Sequence, residues 1–129
     1  MTDLIFLDNN LVLRIQFRLI EESGGSHGLR DEGGLESALN AAANRFHYEN
    51  ADLAICAATY AFHLCKAHSF IEGNKRIAAA VSETFLELNG ASLAISNDEL
   101  ADLFLKIASS EMTREEVETF FAENVKLKN

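Results

Sequence analysis

The chain has 129 residues, with 20 Asp and Glu against 11 Lys and Arg and a net charge of −9 at pH 7. That length suits one domain around one core. The acidic balance argues against broad binding to nucleic acid or anionic membranes, which needs a basic footprint, and is compatible with a basic partner segment.

Six helical segments are expected, in a single all-α domain over residues 1–129. The first runs from about Asn9 to Glu22, with Asp8 as N-cap and Leu7 placed to staple against Val12. Ser23-Gly24-Gly25 ends it. Five of the seven glycines lie between Gly24 and Gly34, so that stretch reads as a loop. A second helix covers about Leu35 to Ala43. The polar and aromatic stretch Asn44 to Asn50 reads as a loop or short extended flap. Asp52 caps a third helix that runs to about Ala67. It is apolar almost all round, so it belongs in the middle of the domain.

The fourth helix, about Asn74 to Asn89, stops at Gly90. Ala91 to Ile95 has an extended character. Ser96 with Glu99 and Thr113 with Glu116 make capping boxes for a fifth and a sixth helix. No repeat, low-complexity segment or linker suggests a second domain.

Hydrophobic residues make up 48% of the chain, an ordinary value for a globular protein. No apolar run approaches the roughly 20 residues of a membrane span. Met1 to Ile15 holds two acids before Arg14, its only basic residue, so no secretory signal is read. Cys56 and Cys65 sit nine positions apart on one expected helix, about 13 Å at a rise of 1.5 Å per residue, too far for a disulfide. Reduced thiols and a cytoplasmic setting are the expectation.

The chemistry concentrates in His68-Ser69-Phe70-Ile71-Glu72-Gly73-Asn74-Lys75-Arg76, which leaves the third helix and opens the fourth. Lys75 and Arg76 fall in a helix first turn, the end that already carries positive partial charge. Cations there are unfavourable unless an anion sits with them. Gly73 allows a ligand to approach the backbone, and free N–H groups would point at it. Physics alone reads this as a phosphate site with a histidine beside it. The plain structural readings are a helix C-cap for His68, a surface acid for Glu72, a turn for Gly73 and Asn74, and solvated cations for Lys75 and Arg76. The clustering of base, carboxylate, glycine and cations in nine residues outweighs them. Phe70 reads as a core anchor for the loop. His63, Cys65 and His68 lack any zinc spacing and do not read as a metal site.

The nine residues resemble the signature of the Fic superfamily, His-x-Phe-x-(Asp/Glu)-Gly-Asn-(Gly/Lys)-Arg. The Lys75 form is similar to the death-on-curing (Doc) toxins of bacterial toxin–antitoxin modules. The likeness continues through Gly24-Gly25, Gly28 to Leu39 and Phe46-His47-Tyr48.

The resemblance implies a compact six-helix Fic/Doc (Fido) fold that uses ATP and Mg²⁺. His68 would be the general base, Glu72 the carboxylate that holds Mg²⁺, and Gly73, Asn74, Lys75 and Arg76 the phosphate seat. Arg45, His47 and Tyr48 would form a flap that docks the target. Members that transfer AMP have glycine at the Lys75 position and a second arginine at the position of Ala79. The Doc-like consequence is a reversed nucleotide and phosphoryl transfer to a Ser/Thr hydroxyl, with elongation factor Tu as target and translation arrest as result. The implied partner is an antitoxin whose C-terminal segment folds into a groove. Nucleotidyl transfer on the same site, or a catalytically silent binding module, are the alternatives. Thr119 to Asn124 matches a short inhibitory-helix pattern, but the arginine such a helix pairs with is absent at Ala79, so autoinhibition is not expected.

Overall fold

The computed structural model describes residues 3–128. It consists of six helices and one small sheet: α1 (Asn9–Ser23), α2 (Glu32–Glu49), α3 (Leu53–Ala67), α4 (Asn74–Leu88), β1 (Ala91–Leu93), α5 (Asn97–Ala108), α6 (Arg114–Asn124) and β2 (Val125–Leu127). The fold is all-α in class, as expected.

Local chemistry sets the helix starts. Asp8 accepts from the Leu11 N–H, Asp52 from the Ile55 N–H, and both capping boxes are closed, Ser96 with Glu99 and Thr113 with Glu116. Leu7 and Val12 are both buried in the same apolar cluster. At the end of α1 the Gly24 N–H donates to the Ile20 carbonyl, with Gly24 at φ 81°.

α3 is the hub. It packs against α2, α4, α5 and α6, and Cys56, Ala57, Ala58, Tyr60, Ala61, Leu64 and Cys65 along it are buried. Its small residues let neighbouring helices approach on several sides, which is why its sequence shows no single apolar stripe. Tyr60 is buried with its hydroxyl oxygen accepting from the Leu7 N–H at 3.1 Å, which ties the N-terminal segment to the hub. Both cysteines are free and buried. Among the described residues, no helix is long and apolar enough to cross a membrane.

Three expectations are corrected. α2 begins at Glu32, not Leu35, because Asp31 caps it by accepting from the Gly34 N–H at 2.9 Å. Gly33 and Gly34 are therefore helical. A Cβ on Gly34 would lie 2.5 Å from the Asp31 carboxylate, so the tight cap needs that glycine. Second, Asn44 to Asn50 is no loop or extended flap: α2 continues to Glu49 and closes on Asn50 in the left-handed region at φ 55°. Tertiary contacts hold that extension. The Phe46 ring lies 5.6 Å from Phe6, and Arg45 pairs with Glu118 on α6 at 2.5 Å and with Glu49 at 3.3 Å. Third, the extended segment after Gly90 is shorter than expected, and it pairs antiparallel with β2, Ser92 opposite Lys126.

Candidate functional site

The motif forms the α3–α4 connection. α3 ends on His68, whose backbone is left-handed at φ 50° and ψ 42°. A non-glycine residue there is uncommon and costs about 1–2 kcal/mol. The turn points the chain back across the helix end, and His68 stands exposed. Ser69 and Phe70 then plunge into the protein, each 1% exposed.

Two devices hold this loop. From below, Asn74 clasps Phe70: the Phe70 N–H donates to Asn74 Oδ1 at 3.0 Å, and the Asn74 amide donates to the Phe70 carbonyl at 2.9 Å. From the side, the loop between α1 and α2 runs along it. Leu29 and Phe70 form an antiparallel bridge. The Ser69 carbonyl accepts from the Arg30 and Asp31 N–H groups at 2.7 and 3.1 Å, and the Ile71 N–H donates to the Gly28 carbonyl. Gly25 lies against the carboxylate of Glu72. The glycine-rich loop is thus the strand-like neighbour of the motif.

α4 starts on Gly73, at φ 82°, with no side-chain cap and no acid in its first turn. The other five helices are each capped by an Asp, Ser or Thr side chain. Lys75 and Arg76 occupy this uncapped first turn, both exposed. Neither makes an ion pair among the described residues. Backbone donors, helix dipole and two cations therefore converge where nothing in the protein neutralises them, the arrangement an anion fills.

His68, Glu72, Gly73, Asn74, Lys75 and Arg76 all line one cavity of about 340 Å³, within the usual span of ligand sites. Cys65 and Ala108 form part of its wall. Burial pushes the Cys65 thiol up, against a smaller downward pull from Lys75 and Lys66, so it is not a ready thiolate nucleophile. Glu72 is the carboxylate on this cavity, and among the described residues no three His, Cys, Asp or Glu side chains gather as a metal cluster. That donor set fits Mg²⁺ arriving with phosphate oxygens, since Mg²⁺ typically takes only one or two carboxylates beside them.

Arg45, His47 and Tyr48 are not part of this assembly. They lie on the last turns of α2, while the first turn of that helix adjoins the motif, at Gly34 beside Ser69. Eleven residues of helix separate Gly34 from Arg45, about 16 Å. Arg45 is committed to Glu118, and His47 packs on Phe6. Tyr48 is 84% exposed. The three residues stand on a helix and not on an extended flap. The segment beside the motif is Gly24 to Asp31, whose glycine content signalled close backbone approach.

A family model described as the Fic/DOC family matches residues 6–86, which include the glycine-rich loop, all of the motif and most of α4. The chain belongs to the Fic/DOC family. No curated protein matches it. Fic/DOC proteins transfer phosphate or nucleotide groups to proteins, generally from ATP with a divalent metal, and the chain is a transferase of that type. α5 and α6 lie beyond the matched residues, yet Ala108, the last residue of α5, helps wall the motif cavity.

Proposed function

We propose that this Fic/DOC protein is the toxin of a bacterial toxin–antitoxin module and phosphorylates a Ser/Thr hydroxyl on a translation protein, with elongation factor Tu as the implied target. The observation that carries the reading is Lys75. It stands in the uncapped first turn of α4, in the same cavity as His68 and Glu72, where AMP-transferring relatives of the motif have glycine. Ala79 stands where they have a second arginine. A lysine fills room that the α- and β-phosphates of an AMP donor need, and the missing arginine removes their partner. The γ-phosphate is then the group presented to His68.

In this mechanism the His68 imidazole takes the proton of the target hydroxyl as a general base, the role histidine fills most often. The hydroxyl oxygen forms a bond to the γ-phosphorus as the bond to the β–γ bridging oxygen breaks, and ADP leaves with that electron pair. Lys75, Arg76 and the backbone N–H groups that follow Gly73 hold the phosphates in line. Positioning and charge stabilisation carry most of phosphoryl transfer. Glu72 would hold Mg²⁺, which neutralises developing charge on the phosphates when bound. An antitoxin segment, basic enough to suit a −9 surface, completes the module. Nucleotidyl transfer on the same seat is the second reading, and the Lys75 and Ala79 pair weighs against it.

The test is induction of the chain in bacteria without an antitoxin, with intact-mass analysis of the translation factors. The expected result is growth arrest and a target heavier by one phosphate, both absent with His68→Ala at equal expression. A target heavier by AMP would overturn phosphoryl transfer, and arrest by the His68→Ala protein would overturn the base.

A further inference from the structure

The far end of α4 carries a surface unlike the motif end. Leu88, the last residue of α4, lies about 21 Å along the helix from Asn74. The Asn89 side chain that follows it bonds both backbone groups of Ile5, accepting from the N–H at 2.8 Å and donating to the carbonyl at 2.9 Å. Leu127 on β2 lies opposite Ala91 on β1. Ile5, Leu88 and Leu127 thus gather around residues 88–91, and all three are exposed, Leu127 to 75%. The sheet beside them has an open edge. The Lys128 N–H donates to the Gly90 carbonyl and the Ala94 N–H to the Asn124 carbonyl, both at 2.8 Å. Antiparallel bonding alternates, so Lys126 faces β1 while Val125 and Leu127 turn their backbone groups outward. The Val125 N–H is taken by the Phe121 carbonyl. The Val125 carbonyl and both backbone groups of Leu127 have no partner among the described residues.

We propose that the outer edge of β2 takes an extended segment of a partner protein, as a third strand in which apolar and acidic residues alternate. The unpaired carbonyl and N–H groups are what an extended backbone satisfies. The side chains set the pattern of the segment. Residues paired across two strands share a face of the sheet, and Leu127 shares the face on which Ala91 and Leu93 are buried. Apolar residues of an added strand would cover Leu127 on that face. The residues between them would stand beside Lys126 on the other. Lys126 is exposed, lies opposite the uncharged Ser92, and makes no ion pair among the described residues. Lys128 is already paired with Glu87. An acid is the complement that Lys126 lacks. The same lysines exclude a second copy of this strand. Two copies could pair only through the outward groups of residues 125 and 127, and those registers set Lys126 opposite the copy's Lys126 or Lys128. Like charges directly opposite destabilise a strand pair. The cavity of His68 lies at the other end of α4, so a partner held on β2 is tethered without covering it.

NMR titration of the isotope-labelled full chain with a short capped peptide of alternating valine and glutamate tests the edge. The amide signals of Val125 and Leu127 should shift, and the Leu127 amide should exchange hydrogen more slowly. The same peptide with lysine in place of glutamate should bind at least about fivefold more weakly. Lys126→Glu should reverse that order. Leu127→Pro removes an outward N–H and leaves the bonds to β1 in place, so it should keep the fold and lose the peptide. Both substituted positions are exposed. Absence of any shift at Val125 and Leu127 with millimolar peptide would overturn the open edge as a docking site. An order of affinities that Lys126→Glu leaves unchanged would overturn the choice of an acidic segment. Signals of Val125 and Leu127 that move with protein concentration, without peptide, would put a second copy on the edge instead.

Discussion

Gly25 lies so close to Glu72 that a Cβ on it would come within 2.4 Å of the Glu72 Oε2. The contact joins residues 47 positions apart and fixes where the carboxylate of the motif can stand. Gly25 also has φ 114°, which few side chains adopt.

Gly25→Ala should therefore displace Glu72 and raise the Mg²⁺ concentration needed for half activity. Gly24→Ala is the control. Gly24 also has a positive φ, at 81°, but a Cβ there meets nothing within 4 Å. Both variants should lose on the order of 1–2 kcal/mol of stability through backbone strain, but only Gly25→Ala should shift the Mg²⁺ titration. Equal titrations would detach Gly25 from the role of Glu72.

His68 should show a conflict between stability and activity. Its left-handed backbone at φ 50° favours glycine. His68→Gly and His68→Ala should both be inactive, and His68→Gly should be the more stable by about 1 kcal/mol in urea unfolding. Equal stability would show that the left-handed turn carries no strain.

Asn74 clasps both backbone groups of Phe70. Asn74→Ala leaves that N–H and carbonyl without their partners, at a cost of about 1–3 kcal/mol. The Phe70 amide should then exchange hydrogen faster than in the wild type, and activity should fall because His68 and Glu72 lose their fixed separation. Unchanged exchange at Phe70 would show that the Leu29 bridge alone holds the loop.

Much of this architecture is written in short-range chemistry. Asp8, Asp52, Ser96 with Glu99, and Thr113 with Glu116 act within three residues, so their helix starts are legible. The motif is contiguous, so the gathering of its residues around one cavity is legible too. What stays hidden depends on partners far along the chain. Arg45 reaches across 73 residues to Glu118, and that pairing turns an apparent loop into the last turns of α2. β2 exists only because Ala91 to Leu93 lies beside it. The start of α2 was masked for a different reason: Gly33 and Gly34 look like loop glycines, but the Asp31 cap requires the small residue.

His63 predicts a pH dependence. It lies near Arg45, Arg114 and Glu118, and burial first, then the two arginines, lower its pKa, with Glu118 opposing. The unfolded chain therefore binds the proton more readily. Its effect on stability is nil above the ordinary histidine value of about 6.5, grows more unfavourable as pH falls below it, and levels off below the folded value. Between about pH 7.5 and about pH 5.5, wild type should lose more stability than His63→Gln in urea unfolding. Equal losses would contradict the assignment.

The central claim is transfer of the γ-phosphate by His68 from the seat at Lys75. Its most direct measurement is incubation of the purified protein with cell extract and ATP labelled at either the γ- or the α-phosphate. A protein band should take label from the γ-position only, and His68→Ala should leave that band unlabelled. Label from the α-position in wild type, or γ-label that persists in His68→Ala, would contradict the account.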